Sequence, residues 1–589
     1  MIDLGIKSHV QRLYTAIDSS RRARQPFRRK RVQMLKEFVG SHYNDSGAPH
    51  EVLVNLLNMT ADVYTIGLAA RTPRVQVRTD FRELAPFANH YTQNINNFIK
   101  EIRFVETLQA LVLDAFFADA CAKVFLAEWQ SVQLEDDVWA DPGRPYVKRI
   151  SPDDFGLDMT AKDVRSCKFV WDEYRVSWDS VRTNPFYDKA VVKQLSPSSK
   201  WERDEEQASG ITNGSIVDDD EYEPKICLMD VWLPELEKVA ICARHAPLKP
   251  LQLVEAGPEG GPYHFLNFAD VPDNVPSTSP AQNLMGLHLL YNGLMRKQAR
   301  QAKRQKTNPT YNPSATEDAA RMKRVNDGDW VKVNDPSGIN VVNQGGVDQG
   351  NVAFSIGVLD LFDRQAGNLQ AMAGLGPQAP TLGQEQLIYS ATSRKEAKMQ
   401  HRVHRFTADL MRSIGQLMWV DEILQIETNI KPRKDSLLSV HSPWTPEYRE
   451  GDFWQYNFEV EPYSMIYEPP EARAQKMERA IDRIANLYPM LQQMGGTIDV
   501  QQLVRNYAET LDLPELERIV IFPEPLEGIQ PAGPGFGNHE RSMAPETTRN
   551  YVRKNVPTGG TPQAQSDKMK QAWLSGANGN GNVASGSTG

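Results

Sequence analysis

Apolar residues recur at helical spacing through most of the first 120 positions. In "EVLVNLLNMTADVYTIGLAAR" (51–71), Leu53, Leu56, Leu57, Ala61 and Tyr64 share one face, which predicts an amphipathic helix. "YTAIDSSRRARQPFRRKRVQMLKEFVG" (14–40) predicts a helix broken at Pro26, because proline deletes a ladder hydrogen bond and crowds the preceding turn. Residues 86–120 continue the helical pattern. From about 123 it gives way to short β-rich runs, "AKVFLAEWQSVQL", "RPYVKRISPDDFGLD" and "CKFVWDEYRVSWDSVR", and later "ICLMDVWL", "KVAICARH" and "LQLVEA". Residues 194–225 between these groups are polar and acidic and predict a surface excursion, a candidate for disorder.

Helical periodicity returns at about 281–306. Leu284, Leu287, Tyr291 and Leu294 form a packing stripe, and Arg296, Lys297, Arg300, Lys303, Arg304 and Lys306 follow as a basic end. Like charges at these spacings repel by a few tenths of a kcal/mol per pair. A nearby polyanion relieves that repulsion, while a solvated helix end, where the macrodipole favours cations, is the plain alternative. A polar module of two short strands and a short helix (307–351) comes next, then a second helix (352–374). A Gly/Pro loop (375–384) precedes a long helix (about 385–426) with Met399, Val403, Phe406, Leu410 and Leu417 on one face. Residues 427–468 read as β-rich and 469–522 as helical. The tail 523–589, rich in Pro, Gly, Asn and Ser, predicts mobility, apart from a candidate docking turn at 567–576. The fold class expected is α+β, mainly helical.

Composition adds limits. The chain has 589 residues, 40% hydrophobic and 24% charged, which is ordinary for a globular protein of several domains. Its net charge of −9 argues against a surface that coats nucleic acid throughout, so the basic helix end stands out as local. No run of eighteen apolar residues exists, so no membrane span is expected, and no apolar leader precedes "RRARQPFRRKR" (21–31). That basic run has DNA, a scaffold protein, solvent or a structural partner as its candidate neighbours. The four cysteines make no CxxC pair and are expected to be buried thiols.

Catalytic signals are weak. There is no GxxxxGK[ST] and no GxSxG, and "GLGPQA" (374–379) follows a helix rather than a strand, so no cofactor is expected. His401 and His404 lack a third ligand and are expected to be solvated. Asp153, Asp154 and Asp158 are expected to serve a turn, and Asp218, Asp219, Asp220 and Glu221 a charged loop. No catalytic residue and no metal site is expected. A nuclease-type DNA-processing enzyme is the competing enzymatic reading.

Three segments in order carry a resemblance: "VNLLNMTADVYTIGLAARTPRVQV" (54–77), "ISPDDFGLDMTAKDVRSCKFV" (150–170) and "VPSTSPAQNLMGLHLLYNGLMRKQARQ" (275–301), the last with an LxxLYNxLxR core. Over roughly residues 10–520 the chain resembles the phage portal (head-to-tail connector) proteins. The resemblance implies a non-enzymatic ring-forming subunit. Its wing is 1–280 and 385–468, its stem helices 281–306 and 352–374, its clip 307–351 and its tunnel loop 375–384. A crown at 469–522 and a flexible tail at 523–589 complete the assignment. Gly376, Pro377, Gln378, Thr381 and Gln384 belong to the implied tunnel loop, uncharged and able to change shape.

The resemblance further implies a homo-oligomer, usually a dodecamer, at one capsid vertex of the virion, assembled in the host cytoplasm. Its implied partners are the major capsid protein, a scaffold protein, the large terminase subunit and a tail adaptor, with no membrane. Double-stranded DNA passes the channel during packaging and ejection; an internal virion scaffold protein without a pore is the other alternative. Ring symmetry repeats each basic residue as a belt around DNA that carries a phosphate charge every ~1.7 Å of axis.

Overall fold

In the computed structural model, the described residues are most of 4–461, together with 464–465 and 482. The exceptions inside that span are 41–51, 128–131, 136–137, 141–142, 198–222, 256, 327–328, 335, 368–381, 421–428, 431–439 and 442–443. The chain divides into a unit Met1–Pro469 and a unit Pro470–Gly589. In the second unit the one described residue, Asp482, is helical. The expected crown and tail otherwise lie outside the described residues, as does nearly all of the acidic excursion.

Helix makes up 52% of the structure and strand 19%, so the α+β, mainly helical class holds. Helix α1 (Lys7–Val39) runs through Pro26 without ending, against the expected break. The physical reason is anchoring on both sides of the proline. Val10, Leu13, Tyr14 and Ile17 are buried before it, and Arg31, Val32 and Met34 after it. Helix α2 (Leu56–Ala69) starts later than the periodicity predicts, because Asn55 caps it by accepting a hydrogen bond from the Asn58 amide. Leu53 therefore lies outside the helix and is 40% exposed. After strand β1 (Val75–Arg78), the helical stretch at 86–120 is two helices, α3 (Ala85–Glu101) and α4 (Phe104–Phe117). Arg103 separates them with a left-handed φ of 50°.

The β-rich middle follows the expected runs. Its elements are β2 (Ala120–Ala127), β3 (Val132–Glu135), β4 (Val138–Ala140), β5 (Arg144–Ile150), β6 (Phe155–Leu157), β7 (Val170–Ser177), short helices α5 (Trp178–Thr183) and α6 (Lys189–Val192), β8 (Lys225–Leu233), β9 (Lys238–Ala243), β10 (Gln252–Glu255) and β11 (Tyr263–Leu266). They form a five-stranded sheet ordered β10-β9-β8-β7-β6, a three-stranded sheet ordered β11-β2-β5 and a separate pair β3-β4, all antiparallel. The amino-terminal half of α1 packs on the larger sheet through Phe169, Trp171, Met229 and Val231. All four cysteines are free and buried, as expected.

Helix α7 (Pro280–Arg304) is followed by strand β12 (Lys306–Tyr311), helix α8 (Thr316–Met322), strand β13 (Ile339–Gln344) and helix α9 (Gln349–Ala366). Two expectations change here. Lys306 is not on the helix but opens β12, because Gln305 turns the backbone to φ −64°, ψ 126°. The second helix ends at Ala366, where Gly367 with φ 105° is a left-handed cap, and 368–374 lie outside the described residues.

Helix α10 (Leu382–Val420) already contains Gln384, so the loop is shorter than the expected 375–384. Gln384, Glu385 and Gln386 are good helix formers and extend the helix backwards. Gly376, Pro377, Gln378 and Thr381 lie outside the described residues. Met399, Val403, Phe406, Leu410 and Leu417 are buried, as the stripe predicts. Strands β14 (Asn429–Ile430), β15 (Val440–His441) and β16 (Asn457–Val460) complete the unit, with β16 pairing antiparallel to β1.

The largest core gathers α2, α3, α4, α7 and α10. An aromatic nest lies within it, where the Tyr91 ring sits 4.6 Å from that of Trp444 and Tyr91 Oη donates to the Gly415 carbonyl at 2.7 Å. A Cβ at Gly415 would come within 2.6 Å of the Phe458 ring, so α10 approaches this close only with glycine there.

Candidate nucleic-acid interface

Ser279 caps α7 by accepting the Gln282 amide at 3.2 Å, and Pro280 occupies the first helical position, where its missing N–H costs nothing. The buried face of α7 is Ala281, Leu284, His288 and Asn292. Leu284 is as predicted, while Leu287 and Tyr291 pack half-buried against the core. The deepest positions after Leu284 are polar, and apolar periodicity cannot reveal them. Asn292 acts as a backbone surrogate: its Oδ1 accepts the amides of Leu53 (3.1 Å) and Val54 (3.0 Å), and its Nδ2 donates to the Val54 carbonyl at 3.0 Å. His288 Nε2 lies 3.6 Å from Glu37 Oε2 on α1.

Helix α9 runs antiparallel to α7. Gln365 donates to the Asn283 carbonyl at one end (2.9 Å), and Gln298 donates to the Asn351 carbonyl and Ser355 Oγ (both 3.0 Å) near the other. The module 306–348 joins the two helices at that second end. Its strands pair from Lys306 opposite Gln344 to Tyr311 opposite Ile339. Gly345 and Gly346, both at positive φ, return the chain past Arg304; a Cβ at Gly345 would stand 3.3 Å from the Arg304 carbonyl oxygen.

Lys297, Arg300, Lys303 and Arg304 are exposed along α7, Lys306 is exposed on β12, and Arg296 is half-buried. Lys297 donates to Asn351 Oδ1 at 3.3 Å. At 100° per residue, Arg296, Arg300 and Lys303 lie opposite Gln298 and Gln301, whose side chains face α9. Among the described residues no carboxylate pairs with Arg300, Lys303 or Arg304. The helix pair thus carries unneutralised positive charge on the side turned away from α9. It also exposes apolar surface, with Leu289 and Leu290 on α7 and Phe354, Ile356 and Leu361 on α9.

The basic run of α1 is largely consumed inside the fold. Arg21 pairs with Glu173, Arg24 donates to the Phe155 carbonyl, and Arg31 pairs with Asp153 at 2.8 Å, so the structural option accounts for these three. The same pairs explain the acidic candidates. Asp153 serves the α1 arginines rather than only its own turn. Asp158 Oδ1 accepts from the Thr160 amide (3.0 Å) and hydroxyl (2.6 Å), the turn chemistry expected. Asp154 is pushed up to about 6 by burial and then by Asp153. Among the described residues no group of His, Cys, Asp and Glu is placed to hold a metal ion. Asp218, Asp219, Asp220 and Glu221 lie outside the described residues. His401 is exposed, but His404 is not solvated as expected: its Nε2 is buried, and burial lowers its pKa.

Sequence reasoning missed a buried ion cluster. Lys123 on β2 contacts Asp172 on β7 and Asp230 on β8. Its signal was a single charge inside the apolar run "ACAKVFLA". Among the described residues no helix is long and apolar enough to cross a membrane. Comparison with protein-family models gives no match for this chain, and comparison with curated proteins gives none either.

Proposed function

We propose that this chain is a portal-type subunit, which assembles into a ring and conducts double-stranded DNA. The observation that carries the reading is the antiparallel pair α7 and α9 with a β-hairpin module at the end where α7 is basic. In this reading α7 and α9 are the stem, residues 307–351 the clip, and the sheets with α1 to α4 and α10 the wing. The exposed apolar residues of the stem pair meet neighbouring subunits, where each side chain gives about 1.5–3 kcal/mol on full burial. Ring symmetry multiplies that contact and repeats the cationic side of α7 as a belt. A DNA conduit needs weak, sequence-independent contact, and a local belt on an acidic protein supplies it.

The ring docks to the major capsid protein and scaffold, and its clip to the large terminase subunit and then a tail adaptor, at the capsid vertex. The subunit itself is not an enzyme. Electron microscopy of the purified full chain tests this. Rings with a central channel are expected, and compact monomers at micromolar concentration under assembly conditions sink the proposal.

A further inference from the structure

The module between α7 and α9 has almost no interior. Among its described residues from 306 to 348, only Ala315, Asp318 and Gly338 are buried. Its sheet is the pair β12-β13 alone, and a two-stranded ribbon is marginal in water without a third strand or a covering element. One face of the ribbon is apolar and uncovered, with Tyr311 53% exposed and Val341 63%.

The two edges of that ribbon differ. The Asn312 amide donates to the Gly338 carbonyl at 2.9 Å, which fixes the phase of the ladder. In an antiparallel pair, bonded and non-bonded positions alternate. Thr310 with Asn340, Asn308 with Val342 and Lys306 with Gln344 therefore bond each other, while the backbone groups of Thr307, Pro309, Val341 and Asn343 point outward. On β12 the outer edge is interrupted by Pro309, which has no N–H, and it begins at the exposed Lys306. The outer edge of β13 has no such guard. Val341 and Asn343 each offer an N–H and a C=O there, and none of the described residues takes them. "INVVNQ" (339–344) contains neither proline nor a charge, the devices that keep free edges from pairing.

A second copy does not satisfy this edge in a ring. Its β12 edge is broken at Pro309. Pairing β13 against β13 is a two-fold contact that closes at two subunits. That exclusion rests on the portal-type reading. We infer that the outer edge of β13 accepts a third strand from a different protein. The strand is an extended segment, uncharged over the paired residues, with an apolar side chain beside Val341. Its backbone bonds Val341 and Asn343, and its alternate side chains extend the apolar face of the ribbon.

The probe is a fluorescent hexapeptide of alternating threonine and valine, titrated into the full chain. Its anisotropy is expected to rise, and hydrogen exchange at the Val341 and Asn343 amides to slow by about tenfold or more. Val341→Pro removes an outward N–H without touching the bonds to β12, and is expected to abolish both effects. Val341→Lys keeps the N–H, adds an edge charge and weakens binding several-fold. Thr307→Pro removes an outward N–H from the other edge and leaves binding unchanged. Binding without slower exchange at those two amides overturns the inference, as does binding that both Val341 variants leave within twofold. Protection of the two amides in the free chain also overturns it, by assigning the edge to a second copy. Electron micrographs of the same samples separate the two readings. Peptide binding to a chain that forms no rings removes the ring alone, and rings that take no peptide remove the strand addition alone.

Discussion

Lys123 Nζ lies 2.5 Å from Asp230 Oδ2, and the same nitrogen lies 2.7 Å from Asp172 Oδ1. One ammonium thus serves two carboxylates at the junction of the two sheets. Tyr174 Oη donates to Asp230 at 2.7 Å, and Tyr263 Oη donates to Asp172. Burial holds the Asp230 carboxyl above its ordinary range. Burial also opposes the Lys123 ammonium, but Asp230 and Asp172 outweigh it and its pKa rises. Removing one member of such a cluster costs more than the cluster contributes. Lys123→Met is expected to lose about 3–5 kcal/mol in urea unfolding. Adding Asp172→Asn and Asp230→Asn recovers most of it. A single-variant loss below about 1 kcal/mol, the worth of an exposed pair, contradicts this account.

His264 sets a pH dependence. Its Nε2 lies 2.9 Å from Ser413 Oγ, and burial pushes its pKa down to about 4 from an ordinary 6.5. A depressed pKa gives stability that is present above pH 6.5 and lost as pH falls through about 4. The loss is up to roughly 3 kcal/mol. Asp154, raised to about 6, acts oppositely: its contribution is present at low pH and fades as pH rises through that value. The comparison is therefore between wild type and His264→Gln, which keeps a hydrogen-bonding side chain but does not titrate. The variant is expected to lose less stability between pH 6.5 and 4. Parallel pH curves for the two proteins reject the assignment.

Asn292 ties α7 to the segment before α2. Asn292→Leu keeps the volume but leaves the Leu53 and Val54 amides without their acceptor. A loss of about 2–3 kcal/mol is expected. Hydrogen exchange at those two amides also rises, which a purely steric effect does not produce.

The subunit contact proposed for the α7–α9 pair is tested without touching the core. Phe354 and Leu361 share one exposed stripe of α9, at 55% exposure each. Phe354→Glu with Leu361→Glu is expected to abolish rings in electron micrographs while leaving the circular dichroism spectrum unchanged. Rings that persist show that this stripe is not the subunit contact.

The cationic side of α7 is tested by charge reversal. Arg300→Glu, Lys303→Glu and Arg304→Glu together are expected to leave assembly intact and to impair DNA packaging or retention. In duplex-binding assays the slope of log affinity against log salt becomes shallower by about 0.9 for each phosphate that the variant no longer neutralises. Normal packaging removes the steering role, though not the ring.

Much of the fold was legible wherever one face was apolar. The stripe of α10 and the strands of the larger sheet were read correctly because burial and periodicity coincide there. The failures share a cause, which is tertiary or polar determination. Pro26 did not stop α1 because packing on both sides holds the helix. Arg103 split a continuous pattern through one backbone angle that no periodicity encodes. In α7 the deepest positions include His288 and Asn292, whose partners Glu37, Leu53 and Val54 are distant in sequence. For the basic end of α7, the sequence identified the cations, and the pairing with α9 added the side on which they stand.

Strand β1 has its partner almost at the other end of the unit, and the Arg74 amide bonds Ser464 Oγ across 390 residues. At 5–20 residues per second, a ribosome takes roughly 20–80 s to cover that separation. During that interval α3 presents Tyr91 and Phe87 without Trp444, Tyr456 or Phe458 to cover them. Synthesis of this chain therefore includes a long period of adhesive exposure, in which each nascent copy is at risk of joining its neighbours by the wrong surface.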